Sequence, residues 1–211
     1  MILRKHTHPT VVLEKDGASL LIDPGVFTTD APELIRDASV VLITHDHPDH
    51  ADVDLLTAAL DSQPDLKIWA PPSVANQIPR HGDRIRVVEP GGTGDAAGFH
   101  ISVVGGRHES IHLDMPASGN VGYVIDQDVY HPGDSYYVPE ENVTTLLVPL
   151  SGPFSRLDKI VDFIRAARPT RAIAIHDVLL TEMGKEFLAQ FITPLAGLEL
   201  AVLRDNDSVQ I

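Results

Sequence analysis

The stretch THDHPDH, residues 44–50, sets three imidazoles and two carboxylates within seven positions, directly after the apolar run VVLI at 40–43. An apolar, β-branched run of this kind reads as a buried strand, so the motif sits at its C-terminal exit, where α/β folds carry functional groups. His45 and His47 are two residues apart in extended chain and project to the same side, where they can share one metal ion. Pro48 blocks continuation of the strand, which lets Asp49 and His50 turn toward a second ion. Two divalent ions about 3.5–4 Å apart activate water and stabilise both ends of a displacement.

Further donors stand at other predicted strand ends: His108 in VVGGRHES, Asp134 in VYHPGDS and His176 in AIAIHD. Glycines beside the first two permit close approach of the backbone. The expected assembly places His45, His47 and His108 on one metal, Asp49, His50 and His176 on the other, and Asp134 as a bridge. The chain has no cysteine, so thiolate sites, disulfides and cysteine nucleophiles are excluded. An all-nitrogen and oxygen donor set suits Zn, Mn or Fe.

The formal charge of −14 disfavours nucleic acid as a substrate, since phosphate backbones are bound by clustered Lys and Arg. Locally the sign reverses. Two dications, two carboxylates and one bridging hydroxide leave the centre at about +1, able to hold an anionic small-molecule substrate. No apolar run approaches the roughly 20 residues that cross a bilayer, so membrane insertion is not expected. The first residues lack the pattern of a secretory signal, making the cytoplasm the default location. With 211 residues, the chain is expected to form a single domain, 1–211. A symmetric homo-oligomer is the default quaternary expectation.

Strands are predicted at 10–14, 18–22, 39–44, 84–90, 99–106, 120–125, 145–150, 171–175 and 198–203, with hairpin turns at 15–17 and 126–128. Helices are predicted at 52–60, capped by Asp52; at 155–168, with Ser155 and Asp158 as a capping pair; and at 181–192, from Thr181 to a stop before Pro194. Hairpins followed by alternating strands and helices imply an α/β fold of mixed sheets with helices packed outside.

THDHPDH, an isolated His, GDS and then a strand-ending His, in this order, resemble the metallo-β-lactamase superfamily. LLIDPG (20–25), VYHPGDSYY (129–137) and the segment from LLVPLSG to AIAIHD (146–177) are most similar to its compact branch containing ascorbate-6-phosphate lactonase and uncharacterised metal-dependent hydrolases. The resemblance implies a four-layer αββα sandwich and two divalent metal ions. It also implies hydrolysis in which a metal-bridging hydroxide attacks the carbonyl or phosphoryl centre of a small, anionic ester, a lactone or a phosphodiester. Asp49 and Asp134 would be catalytic as well as ligating. The 35 residues after His176 are too few for the helical domain of glyoxalase II, and inserted RNA-binding elements of the nucleases are not visible. Diiron oxidoreductases of the superfamily carry Glu where this chain has His47, so hydrolysis is favoured over the alternative, a redox or sensing protein on the same fold.

Other residues carry two readings each. His8 matches a histidine near the first strand of similar hydrolases and His131 the His of YHxGD; both would line the pocket or orient ligands. Asp23 fits an acceptor for a ligand N–H or a strand-ending turn. Arg107 reads as an anion clamp or a solvated side chain, Tyr136 as an oxyanion donor or a packing aromatic, and His112 as a substrate contact, a ligand or a surface residue. His6, His81 and His100 have no motif around them and are expected on the surface.

Overall fold

Along β3 (Ala18–Ile22), Leu20 and Ile22 face one way and Leu21 the other, and all three are fully buried. A strand covered on both faces belongs inside layered structure. The computed structural model, which describes residues 1–78 and 82–211, shows those layers. His81 lies outside the described residues.

Among the described residues the chain forms two seven-stranded sheets. The first holds β1 (Ile2–Lys5), β2 (Val11–Lys15), β3, β4 (Val40–Leu42), β5 (Ile68–Ala70) and β6 (Ile85–Val87) in chain order. The second holds β7 (Thr93–Ala96), β8 (Phe99–Gly105), β9 (Val121–Ile125), β10 (Val129–His131), β11 (Thr145–Pro149), β12 (Arg171–Ile175) and β13 (Leu200–Ala201), also in chain order. Finally β14 (Ser208–Gln210) crosses back to pair with β1. In each sheet antiparallel hairpins come first and parallel crossovers follow.

Between the sheets lies a core that includes Leu13, Leu20, Leu42, Trp69, Phe99, Tyr123, Leu147 and Ile173. The outer face of the first sheet is covered by α1 (Ala31–Asp37), α2 (Val53–Ser62) and the short α3 (Pro72–Ala75), through Ile35, Leu56, Leu60 and Val74. The outer face of the second is covered by α4 (Leu157–Ala167) and α5 (Glu182–Ala196), through Ile160, Phe163, Ile164 and Ile192. This is the expected four-layer αββα sandwich.

The Asp52 cap of α2 and the Thr181 cap of α5 form as expected, accepting from Leu55 N and Gly184 N. Two boundary expectations fail. Ser155 and Asp158 do not cap α4: Ser155 Oγ donates to Leu150 O, while Asp158 pairs with Arg156. Helix α5 does not stop before Pro194 but runs through it to Gly197, which closes it at φ 73°. Pro194 stands near the C-terminal end on the exposed side, where one lost N–H is tolerated. Strands β1, β5, β7 and β14 and helices α1 and α3 lie outside the segments picked from the sequence, and β10 is implied there only by the turn at 126–128. They are short or lack a periodic run long enough to stand out.

All chemistry-bearing ends share one edge. Strands β3 and β4 run parallel, as do β8, β10 and β12 through their antiparallel and parallel pairings, so Asp23, residues 44–50, His108, Asp134 and His176 all follow C-terminal strand ends. Tyr123, fully buried on β9, ties the sheets together directly beneath the motif. Its hydroxyl donates to Ile43 O at 2.8 Å and approaches Trp69 O at 3.3 Å, and burial holds its pKa well above the usual phenol range. Tyr123→Phe leaves a buried carbonyl without that donor and is expected to cost about 1–2 kcal/mol, which for a chain of this size lowers the thermal midpoint by about 2–4 °C per kcal/mol. Thermal unfolding followed by circular dichroism checks this.

Candidate metal centre

The seven predicted ligands converge. Donor atoms of His45, His47, His108 and Asp134 lie within 4.8 Å of one another, as do those of His50, Asp134 and His176. Asp134 thus belongs to both groups, as a bridging residue would. Asp49 joins the second group, with its Oδ2 3.5 Å from His176 Nε2 and 4.0 Å from His50 Nε2. His45, His50, His108, Asp134 and His176 are buried, while His47 and Asp49 are partly open to the mouth.

The orientation of the imidazoles is more informative than their proximity. Nδ1 of His108 faces Glu109 O at 2.7 Å, Nδ1 of His176 faces Ser151 O at 2.6 Å, and Nδ1 of His50 faces the Asp23 carboxylate at 2.7 Å. These oxygens only accept, so each Nδ1 carries the proton and donates. Thr44 Oγ1 gives its one hydrogen to Asp23 Oδ2 at 2.6 Å, which leaves it to accept from Nδ1 of His45 at 3.0 Å. Four rings are therefore fixed with Nε2 turned inward, the arrangement by which outer hydrogen bonds orient metal-binding histidines.

Those inward atoms fit a cation. Nε2 of His45, His50 and His176 and Oδ1 of Asp134 are buried without an aligned hydrogen-bond partner, although two of these imidazole nitrogens stand only 3.1 Å from that oxygen. Leaving each such group unsatisfied costs about 1–3 kcal/mol, and a shared cation would satisfy them together.

His8 behaves differently. Its Nδ1 accepts from Val178 N at 3.3 Å, so its Nε2 carries hydrogen and donates to Asp49 Oδ2 at 3.1 Å. Of its two readings this favours orientation of Asp49, while His8, Asp49 and His176 also lie within 4.8 Å of one another. Asp23 likewise takes the acceptor role, receiving Thr44 N at 2.8 Å in addition to Thr44 Oγ1 and His50. His131 is fully buried and does not reach the cluster. It donates from Nε2 to Pro9 O and accepts Gly133 N, bracing the turns that carry His8 and Asp134. His8, Asp23 and His176 all take positive φ, at 64°, 51° and 52°, a strained conformation that concentrates at functional sites.

Arg107 and His112 are exposed and line a cavity of about 960 Å³ that opens beside His108. Tyr136 lines it too, but its hydroxyl points to Pro149 O at 3.4 Å and its ring packs with Phe154 and Phe163, which favours the packing role. His6 corrects an expectation: it is buried rather than on the surface, with Nδ1 3.0 Å from Asp30 Oδ2. His100 is exposed as expected.

Thr44, Asn120 and Ser151 were missed by sequence reasoning. Asn120 donates to Pro132 O and accepts Asp134 N, shaping the turn that presents Asp134. Ser151 O fixes the ring of His176 while its hydroxyl donates to His176 O. None carries a metal-binding side chain at a telling spacing, although Thr44 and Ser151 lie inside segments that carry the family resemblance.

A family model described as the beta-lactamase superfamily domain matches residues 2–176. Protein Rv0786c of Mycobacterium tuberculosis is 32% identical, with 99% of each chain covered. UPF0173 metal-dependent hydrolase TV0864 of Thermoplasma volcanium is 27% identical, with 81% of each covered. The solved structure of Igni18, a metallo hydrolase from Ignicoccus hospitalis, superimposes with a TM-score of 0.76 at 19% identity, covering 99% of this chain and 97% of that one.

Two predictions follow from the geometry. A Cβ on Gly25 would lie 2.0 Å from the carbonyl of Asp49, so Gly25→Ala should push the motif loop off its seat. The expected cost is about 1–3 kcal/mol, with weaker metal retention in equilibrium dialysis. The second concerns pH. Burial, the largest influence on His50, opposes its protonation, but Asp134 and Asp23 outweigh it and raise the metal-free pKa to about 10. A cation must displace that proton, so binding near pH 7 should release protons and tighten as pH rises. Titration calorimetry in buffers of different ionisation enthalpy measures the release, and uptake without it would contradict the assignment.

The two-sheet sandwich, the ligand-bearing strand ends and the family match over most of its length agree: this chain belongs to the β-lactamase superfamily and has the metallo-β-lactamase fold.

Proposed function

We propose that this protein is a metal-dependent hydrolase holding two divalent cations, Zn, Mn or Fe. His45, His47 and His108 would hold one, Asp49, His50 and His176 the other, and Asp134, which belongs to both groups, would be shared. The observation that carries this reading is the common polarity of four imidazoles, whose Nδ1 atoms are engaged outward and whose Nε2 atoms face one centre. The similarity to a Thermoplasma volcanium protein named as a metal-dependent hydrolase supports it. When bound, such cations lower the pKa of water and polarise a carbonyl or phosphoryl oxygen.

The chain's own residues supply the rest. Burial, the largest influence on Asp49, raises its pKa, but His176 and His8 prevail and hold it far below the usual carboxylate range. It therefore stays anionic, able to hold a cation and orient water at the mouth. Asp134 is likewise held anionic: burial opposes this, and His50, His108 and His176 outweigh it. His8 keeps Asp49 in place without joining the donor set. Arg107 and His112, on the wall of the cavity beside His108, offer positive and hydrogen-bonding groups to an anionic ester. Glu109, on the same wall, is engaged by Lys159. The substrate class that fits is a small anionic lactone or phosphodiester.

Asp49→Ala is expected to lower metal content from two ions to one, measured by elemental analysis. Turnover should fall by about 10–100-fold or more, as for residues that hold a metal site together. Bis-p-nitrophenyl phosphate and a panel of lactones, assayed with Mn-loaded, Zn-loaded and metal-stripped protein, separate the two substrate types. Full turnover retained by the variant would overturn the proposal.

A further inference from the structure

Helix α4 obeys the usual division of a surface helix, with Ile160, Val161, Phe163 and Ile164 inward and Asp158, Asp162 and Arg165 outward. Its neighbour α5 does not. Leu188, Ala189, Ile192 and Ala196 pack inward against the second sheet and α4. On the opposite side Met183, Phe187, Phe191 and Leu195 recur every fourth residue and are 77%, 56%, 47% and 45% exposed. The rings of Phe187 and Phe191 meet edge to face with centroids 5.0 Å apart. Leu179 and Val178, 65% and 39% exposed, extend the patch along the turn after His176.

Scaled from their fractional exposures, these six residues, backbone included, present on the order of 700 Å², above the few hundred Å² a monomer usually leaves bare and approaching the ~800 Å² each partner gives a stable interface. We propose that the outer face of α5 is where a second copy of this chain docks, forming a two-fold symmetric dimer.

Charge selects this occupant. Two copies that each carry −14 repel one another wherever acidic surfaces meet. From Phe187 to Leu198, however, the chain has no charged residue, in a protein where 22% of residues are charged. Self-association centred on this segment sets uncharged surface against uncharged surface, with the exposed Glu182 and Glu186 that flank Met183 left at the N-terminal end of the ridge. Residues at a four-residue spacing form a ridge that can interdigitate with its own symmetry copy, as two crossing helices do. A lipid surface fits less well, because interfacial helices carry Lys or Arg beside the apolar face. The one lysine of α5, Lys185, is buried and held by Asp177 at 3.0 Å and Glu182 at 2.8 Å, and the arginine that borders the face, Arg165 of α4, donates to Leu195 O at 2.8 Å.

Sedimentation velocity of the full chain at micromolar concentration is expected to give twice the 22.9 kDa monomer mass. Phe187→Asp combined with Phe191→Asp should weaken association at least a hundredfold while leaving the far-ultraviolet dichroism unchanged. If that variant does not fold, Met183→Lys, at the most exposed position of the ridge, serves in its place. The chain lacks cysteine, so Phe191→Cys should cross-link with a bismaleimide, whereas Asp162→Cys on α4 should not. A monomeric wild-type protein overturns the proposal, whether or not it floats with phosphatidylcholine vesicles. So does a dimer that survives the substitutions, or cross-linking from α4 equal to that from α5.

Discussion

The carboxylate of Asp23 is the hinge on which the site is built. It has no exposure to solvent and receives three donors: the backbone N–H and hydroxyl of Thr44 and the Nδ1–H of His50. A buried carboxylate is costly unless its lone pairs are filled, so these contacts are strongly directional. They fix the start of the motif at Thr44 and its end at His50, and the chain between has little freedom. Through Thr44 Oγ1 the same carboxylate also orients His45. Thr10, donating to Asp23 O at 2.6 Å, ties the arrangement to the segment that carries His8.

Around this point the fold repeats one strategy. Each turn that carries a candidate donor is held by a neighbouring side chain or carbonyl: Asn120 for Asp134, Ser151 for His176, Glu109 O for His108, His8 for Asp49. The layers beneath are apolar and close-packed, and Tyr123 crosses between the sheets to bond the carbonyl of Ile43. Rigid support explains how turns with strained backbone at His8, Asp23 and His176 persist. The mouth is looser. Its wall carries the exposed Arg107 and His112.

Much of this was legible in the linear chain because it depends on local chemistry. Alternating apolar runs mark strands such as 18–22 and 171–175, and the turns at 15–17 and 126–128 carry residues that accept positive φ. The seven donors could be picked out because His and Asp at strand exits are rare enough to be noticed together. Capping at Asp52 and Thr181 was visible for the same reason. The Ser155 and Asp158 pair looked equivalent and failed, because Leu150 O and Arg156 were better partners once the fold had formed.

The sequence by itself determined which His and Asp are candidate donors and where most of the longer strands and helices lie, since these follow from residue type and short-range periodicity, while the four-layer order followed only from the family resemblance. Tertiary structure decided which nitrogen of four imidazoles faces inward, that His8 bonds the carboxylate of Asp49, and that His131 and His6 are buried. It also decided that α5 leaves Met183, Phe187, Phe191 and Leu195 uncovered. The physical reason is common to all of these. Hydrogen-bond direction and burial are set by partners tens to hundreds of residues away, as between His8 and Val178 or His131 and Pro9, and no local pattern records them.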